Sequence, residues 1–197
     1  MYIIGITGGT GAGKTTALRA LRSLGALTLD CDALYHELLA GDDELKAELA
    51  HRFDGVLYDG VIDRKRLGAI VFSDPAALSD LNRITHRYVG VEIERRLSEW
   101  KAQGGKVAAI DAIALIESGR AANCDLVIGV IAPKEVRIGR IMERDGITRE
   151  QAEMRVNAQK PDSYYTENCD HILEGNCATL EEFEKKCKQF FKILLDT

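Results

Sequence analysis

No apolar run in this chain approaches the length of a membrane span, and no basic leader precedes an apolar stretch at the N-terminus. The sequence therefore predicts neither membrane insertion nor export, and the expected compartment is the cytoplasm. Cysteine is sparse and patternless: five residues, Cys31, Cys124, Cys169, Cys177 and Cys187, with no CxxC pair among them. An odd, scattered set excludes a disulfide scaffold and a zinc site, and fits free thiols. Positive charge is not in excess. The formal net charge is -5, so no general nucleic-acid surface is expected and any anionic ligand must be held by local positive charge. His36 and His51 are too isolated to suggest a transition-metal cluster. Repeats and low-complexity linkers are missing as well. What remains is 197 residues, 46% hydrophobic and 29% charged. That composition suits a globule with one substantial domain and small inserted lobes, and a self-contained core of this kind predicts a monomer.

What is present begins directly behind the apolar run at residues 2–6. Gly8-Gly9-Thr10-Gly11-Ala12-Gly13-Lys14-Thr15 has the spacing of a P-loop. Glycines let the backbone wrap phosphate oxygens with its N–H groups. Lys14 is placed to reach the β- and γ-phosphates, and Thr15 to offer a hydroxyl to Mg2+. A helix beginning near Lys14, with Thr15 and Thr16 in its first turn, adds its N-terminal N–H groups and dipole. ATP or GTP phosphates are the expected ligand.

The surrounding pattern is that of a parallel α/β sheet. Residues 3–6 read as a buried strand. Residues 14–24 read as a helix with Leu18, Leu21 and Leu24 inward and Gly25 as its C-cap, and residues 26–29 as a second strand ending at Asp30. Residues 33–100 have helical spacing interrupted by Gly41-Asp42-Asp43, Asp54-Gly55, Asp59-Gly60 and Ser73-Asp74-Pro75. This predicts a helical lobe inserted between strands, with Leu78, Leu81, Thr85, Tyr88 and Val89 facing one way. Strands return at 107–110, at 126–131 and near 171–173. A helix is expected from about 135 to 145, interrupted by Gly146. Capping boxes are expected at Thr148 to Gln151 and at Thr179 to Glu182. The last box opens a helix expected to bury Leu180, Phe183, Cys187, Phe190 and Leu194. The predicted fold is α/β: a five-stranded parallel sheet behind a P-loop, which binds ligands beyond its strand C-termini.

Several side chains stand where chemistry would occur. Asp30 and Asp32 follow the second strand. One carboxylate can orient or activate an acceptor hydroxyl while the other orders a Mg2+ water or a basic group. Asp111 ends the run Val107-Ala108-Ala109-Ile110 as a Walker B acid would; it either orders a metal water or caps the next helix. Arg137, Arg140 and Arg144 recur at i, i+3 and i+7 on one helix face. They form either a basic lid over the transferring phosphoryl group, with Arg140 and Arg144 its leading members, or a face neutralised by Glu135, Glu143 and Asp145. Arg64, His86 and Arg87 in the insert can grip a phosphorylated acceptor or serve packing and surface roles. The guanine-reading segment of GTP switches is not matched: Gln159-Lys160-Pro161-Asp162 lacks the first side chain and follows no predicted strand.

Taken together, these residues resemble the dephospho-CoA kinase family. The likeness runs from Gly5-Ile6-Thr7 through the P-loop, Gly25-Ala26 and Asp30-Cys31-Asp32. It continues at Asp59-Gly60, Asp63-Arg64, Leu67, Val71-Phe72, Leu81-Asn82-Arg83-Ile84 and His86, then at Arg140 to Arg144, Gln159, Asp170-His171-Ile172 and Asn176. The resemblance implies ATP-dependent phosphorylation of the ribose 3'-hydroxyl of dephospho-CoA, giving CoA and ADP, with Mg2+ as cofactor. It implies a P-loop nucleotide kinase fold, with a nucleotide core in residues 1–32, 101–137 and 161–197, a helical acceptor-binding insert at 33–100 and an arginine-bearing lid at 138–160. The resemblance makes Asp32 the acceptor-activating residue, Thr15 the Mg2+-linked hydroxyl and Asn176 part of the base side of the core. Joined to the readings from the loop, the basic helix face and the strand end, it gives Asp32, Lys14 and Arg140 as the expected catalytic residues, Gly8 to Thr16, Arg144 and Asn176 toward the nucleotide, Asp32, Arg64, His86 and Glu117 toward the acceptor, and Thr15 and Asp111 toward the metal. Two departures concern the acceptor side. The family commonly has His-Pro where this chain has His86-Arg87, and Pro-Leu-Leu-x-Glu where it reads Ile113-Ala114-Leu115-Ile116-Glu117. Two rival functions are another nucleoside or nucleotide kinase and an ATP-binding regulator without transfer activity.

Overall fold

Two apolar faces on one short strand set the plan of the molecule. In the computed structural model, which describes residues 1–177 and 179–195, strand β1 (Tyr2–Thr7) has Ile4 and Ile6 fully buried. Buried on both sides, it pairs in parallel with β5 (Val107–Asp111) and β6 (Leu126–Ile131). Strand β2 (Leu27–Asp30) flanks β5, and β7 (His171–Glu174) flanks β6, so the five-stranded parallel sheet has the order β2-β5-β1-β6-β7. From β1 the chain goes on to β2 at one edge of the sheet, and from its neighbour β6 to β7 at the other. That reversal leaves a crevice at the C-terminal end of β1, where an open α/β sheet receives its ligand.

The chain divides into two compact units: Met1–Leu29 together with the chain from Trp100 onward, and Asp30–Glu99. In the first unit, α1 (Lys14–Ser23) buries Ala17, Leu18, Ala20 and Leu21 against the sheet, and Leu24 packs beside them. Gly25, at φ 87, closes the helix as expected, one position after Leu24. Its N–H donates to Arg22 O and that of Ala26 to Leu21 O, the paired closure of a helix ending in a left-handed residue. After β6 come α6 (Lys134–Asp145), α7 (Arg149–Asn157) and α8 (Asp162–Asn168). Gly146 ends α6 in the left-handed conformation, and Thr148 with Gln151 forms the expected reciprocal capping box on α7. Helix α9 (Leu180–Leu195) buries Phe183, Cys187 and Phe191, with Phe190 and Leu194 partly buried beside them. Leu180 does not join them. It is half exposed because the first turn precedes the contact with α1, and Phe191, not anticipated, completes the i, i+4, i+8 stripe. Thr179 Oγ1 accepts from the Glu182 N–H at 3.1 Å.

The second unit is not purely helical. Helices α2 (Cys31–Gly41), α3 (Asp43–Arg52), α4 (Arg64–Ser73) and the start of α5 (Pro75–Ala102) enclose a hairpin, β3 (Leu57–Tyr58) and β4 (Val61–Ile62). Asp59-Gly60 is its two-residue loop, with φ 48 and 75, the left-handed pair that such a turn demands. Leu45, Leu49, Phe53, Val56, Leu67, Val71, Ala77 and Ile84 form the core of this unit, with Leu78, Leu81 and Tyr88 packed against it. The five cysteines are free, and among the described residues no helix is long and apolar enough to cross a membrane.

Candidate active site

The loop after β1 can be built only from glycine at its tightest points. Gly8 has φ 142, and a Cβ there would meet Val130 O of β6 at 2.2 Å. Gly13 has φ 116, and a Cβ there would meet the Phe183 ring of α9 at 2.7 Å. Gly13 is also the N-cap of α1 and offers no side chain, and no acidic residue stands in the first turn. The N–H groups that open α1 at Lys14 and Thr15 have no intrahelical acceptor, and nothing in that turn competes with an anion for them. Thr15 is exposed, Lys14 half-buried and Thr16 buried.

Two arginines of α6 grip the loop from its carbonyl side. Arg137, only 5% exposed, donates from Nε to Thr10 O at 3.0 Å and from Nη2 to Gln159 Oε1 at 2.5 Å. Gln159, just beyond α7, accepts from the Thr10 N–H at 2.9 Å and donates from Nε2 to Thr10 Oγ1 at 2.7 Å. Thr10 was expected to offer its N–H to phosphate; here that N–H is held by Gln159. Arg140 donates from Nη1 to Gly11 O and Ala12 O, at 3.1 and 3.2 Å, and from Nη2 to Gly175 O at 2.9 Å. Three successive loop carbonyls thus accept from two guanidinium groups. Arg140, expected on a mobile lid, is tied instead to the loop and to the residue before Asn176.

The same helix presents Arg144 differently. Its side chain is 60% exposed and pairs with Asp145, which Arg155 also contacts at 2.6 Å. The Arg144 guanidinium, foremost, holds the Asp145 carboxyl below its ordinary range. Arg149 pairs with Glu135 and Glu153. Such exposed pairs contribute little, so these arginines exchange partners readily. Asn176 borders a cavity of about 250 Å³ with Ile131, Ala132, Pro133, Asp162 and Glu174, beyond the ends of β6 and β7. A volume below the ~300–1,000 Å³ of drug-sized sites suits one ring system.

Asp111 ends β5 opposite Ile6 and is 6% exposed. It therefore lies level with the turn from β1 into the glycine-rich loop. Thr15 and Asp111 offer a hydroxyl and a carboxylate, hard oxygen donors of the kind Mg2+ takes when phosphates supply the rest of its shell. Glu117 is exposed in the turn after β5. Burial first, then the Glu117 carboxylate, pushes the Tyr164 hydroxyl above its ordinary value.

In the second unit, Asp30 and Asp32 have separate jobs. Asp30 caps α2, its Oδ1 accepting from the N–H groups of Asp32 and Ala33 at 2.9 and 3.1 Å, whereas the Asp32 side chain is exposed. Arg64 is exposed, with Nη2 3.5 Å from His36 Nε2. His86 is exposed on α5. Arg87 pairs with Glu48, and the His86-Arg87 departure lies inside an unbroken helix, where a proline would remove a main-chain donor. The structure gathers Gly8 to Thr16, Arg140 and Asn176 around one edge of the first unit; Asp32, Arg64 and His86 belong to the second. Sequence reasoning missed the hold of Arg137 and Gln159 on Thr10. Arg137 was visible only as one member of a basic face, and spacing cannot show that α7 returns Gln159 to the loop.

Comparison with known proteins bears on the fold and the family. A dephospho-CoA kinase from Geobacter sulfurreducens is 37% identical over 193 residues, covering 97% of this chain and 98% of its own length. One from Corynebacterium jeikeium is 34% identical over 97% of this chain and 98% of its own. A solved structure from Thermus thermophilus superposes with a TM-score of 0.82 at 33% identity, covering 98% of this chain and 97% of its own. The dephospho-CoA kinase of Campylobacter jejuni gives 0.71 at 25% identity, covering 98% and 96%. A shikimate kinase from Bacteroides thetaiotaomicron, 15% identical with a TM-score of 0.54 over 100% of this chain and 99% of its own, shares the fold alone. The sequence profile of the dephospho-CoA kinase family matches residues 2–181, through loop, sheet and insert alike, and the chain belongs to that family of ATP-dependent kinases.

Proposed function

We propose that this protein transfers the γ-phosphoryl group of ATP to the ribose 3'-hydroxyl of dephospho-CoA, giving CoA and ADP. Family membership over nearly the whole chain is the observation that carries this reading. In the transfer, the bond from the γ-phosphorus to the bridging oxygen of ADP breaks and a bond to the 3'-oxygen forms. Asp32 accepts the hydroxyl proton as the bond forms. Lys14 and the N–H groups at the start of α1 stabilise charge on the β- and γ-phosphates. Arg140 acts on the donor side through the loop carbonyls it holds, and Arg144 releases Asp145 to meet phosphate oxygens.

Thr15 and Asp111 are the residues that would hold Mg2+, which when bound neutralises phosphate charge. The adenine of ATP occupies the cavity beside Asn176. Arg64, His86 and Glu117 bind the acceptor, residues 33–100 supply its lobe, and residues 138–160 form the lid, in which Arg144 and Arg149 close over the donor while Arg140 and Gln159 stay anchored to the loop. The protein acts as a cytoplasmic monomer, without nucleic-acid or membrane partners.

The test is incubation of purified protein with ATP, Mg2+ and separate acceptors, followed by product mass and position. The expected product is CoA, from dephospho-CoA only. Phosphorylation of a nucleoside or nucleotide instead would place the protein among other P-loop kinases. ATP binding with no transfer to any acceptor would make it a regulator.

A further inference from the structure

Arg137 is an anomaly in its surroundings. Its side chain is 5% exposed, yet among the described residues it has no carboxylate within ion-pair distance; its partners are the neutral oxygens of Thr10 and Gln159. Buried guanidinium groups ordinarily have an acidic partner, because an unpaired charge is costly away from water. This one lies directly against the glycine-rich loop. A Cβ on Gly9 would meet Arg137 Nη2 at 2.2 Å, and one on Gly11 would meet Arg137 O at 2.8 Å. The nearest polar side chain, Gln159, is an amide where a glutamate would have supplied a counter-charge within the protein. The amide also uses both of its ends on Thr10.

We propose that Arg137 and Gln159 form a positioning pair for the donor nucleotide, in which the missing counter-ion of Arg137 is the polyphosphate itself. The proposal rests on the reading of this loop as the donor-phosphate site. An amide at position 159 fixes the N–H, the hydroxyl and, through Arg137, the carbonyl of Thr10 without neutralising the guanidinium. Its positive field therefore remains available to an anion seated in the loop. A carboxylate in the same place would still accept from the Thr10 N–H and from Arg137. It would cancel the charge internally, with the Thr10 hydroxyl free to turn and donate to it.

This makes a prediction that simple bracing does not share. ATP affinity is measured without acceptor, by titration calorimetry, for the wild-type protein, Gln159→Glu and Arg137→Gln, alongside the melting temperature of each nucleotide-free protein. Gln159→Glu is expected to melt at a higher temperature than wild type and to bind ATP about tenfold more weakly, because the attraction of one unit charge for the polyphosphate across the loop is cancelled. Arg137→Gln retains a hydrogen-bonding side chain but no charge. It is expected to bind ATP more weakly by a similar factor, with a shallower salt dependence, while KM for the acceptor stays at the wild-type value. ATP binding by Gln159→Glu at wild-type strength, or stability and affinity falling together in that variant, overturns the proposal. Failure of the wild-type protein itself to bind ATP would overturn the reading of the loop as well.

Discussion

Asp32 and Asp30 stand two residues apart and do different physical work. Asp30 accepts two backbone N–H groups at the start of α2; removing it would loosen the cap. Asp32 is exposed, so its carboxylate is available for chemistry and its replacement leaves the cap intact. Asp32→Asn is therefore expected to preserve the melting temperature and ATP affinity while lowering kcat by about 10²–10⁴-fold, the usual worth of a positioned general base. Turnover near the wild-type rate at saturating substrates would remove Asp32 from the reaction.

Helix α9 shows how one element serves both core and site. Phe183 is fully buried in the main core, and its ring sits where a Gly13 Cβ would be. Phe183→Ala is expected to cost about 3–5 kcal/mol, as large aromatic truncations in cores do. It also opens space under the N-cap of α1, so ATP affinity should drop as well. Leu180→Ala, three residues earlier on the same helix, alters a half-exposed side chain and is expected to stay within about 0.5 kcal/mol. Urea unfolding of the two variants separates the residues, and equal losses would mean that α9 docks through its first turn.

Across the whole molecule, carboxylates held low by basic partners govern the response to acid. Hydrogen bonds from Arg95 first and then Arg96 outweigh the upward push of burial and leave the Glu92 carboxyl at about 2, well below its ordinary 4.5. Asp80 is lowered first by Arg52, Asp145 first by Arg144, and Glu184 first by Lys188. Each such group has a folded-state value below its unfolded one. It stabilises the fold above the unfolded value and loses that contribution as pH falls through the folded value. The urea midpoint is therefore expected to be level near neutrality and to fall below about pH 4. For Glu92→Gln the fall should be shallower, and an unchanged acid limb would show that the Glu92 pairs do not persist in solution.

The sequence by itself determined the glycine-rich loop, the strands around it and the capping box at Thr148. These are local matters: backbone angles only glycine tolerates, an alternating or unbroken apolar pattern, and a side chain three residues from the N–H it caps. The Asp59-Gly60 hairpin was equally local. Its signal was legible, but the helical texture on either side concealed two-residue strands. Leu180 and Phe191 traded places because helical spacing gives the stripe without saying where along it the neighbouring helix makes contact. The engagement of Arg140 with Gly11, Ala12 and Gly175, and of Arg137 and Gln159 with Thr10, belongs to tertiary structure alone. Apart from Arg140–Gly175, 35 residues apart, these contacts join positions more than a hundred residues apart or lie across the α6–α7 turn. Only the path of the folded chain decides whether an arginine on a basic face meets solvent, a carboxylate, or the carbonyl side of a phosphate-binding loop.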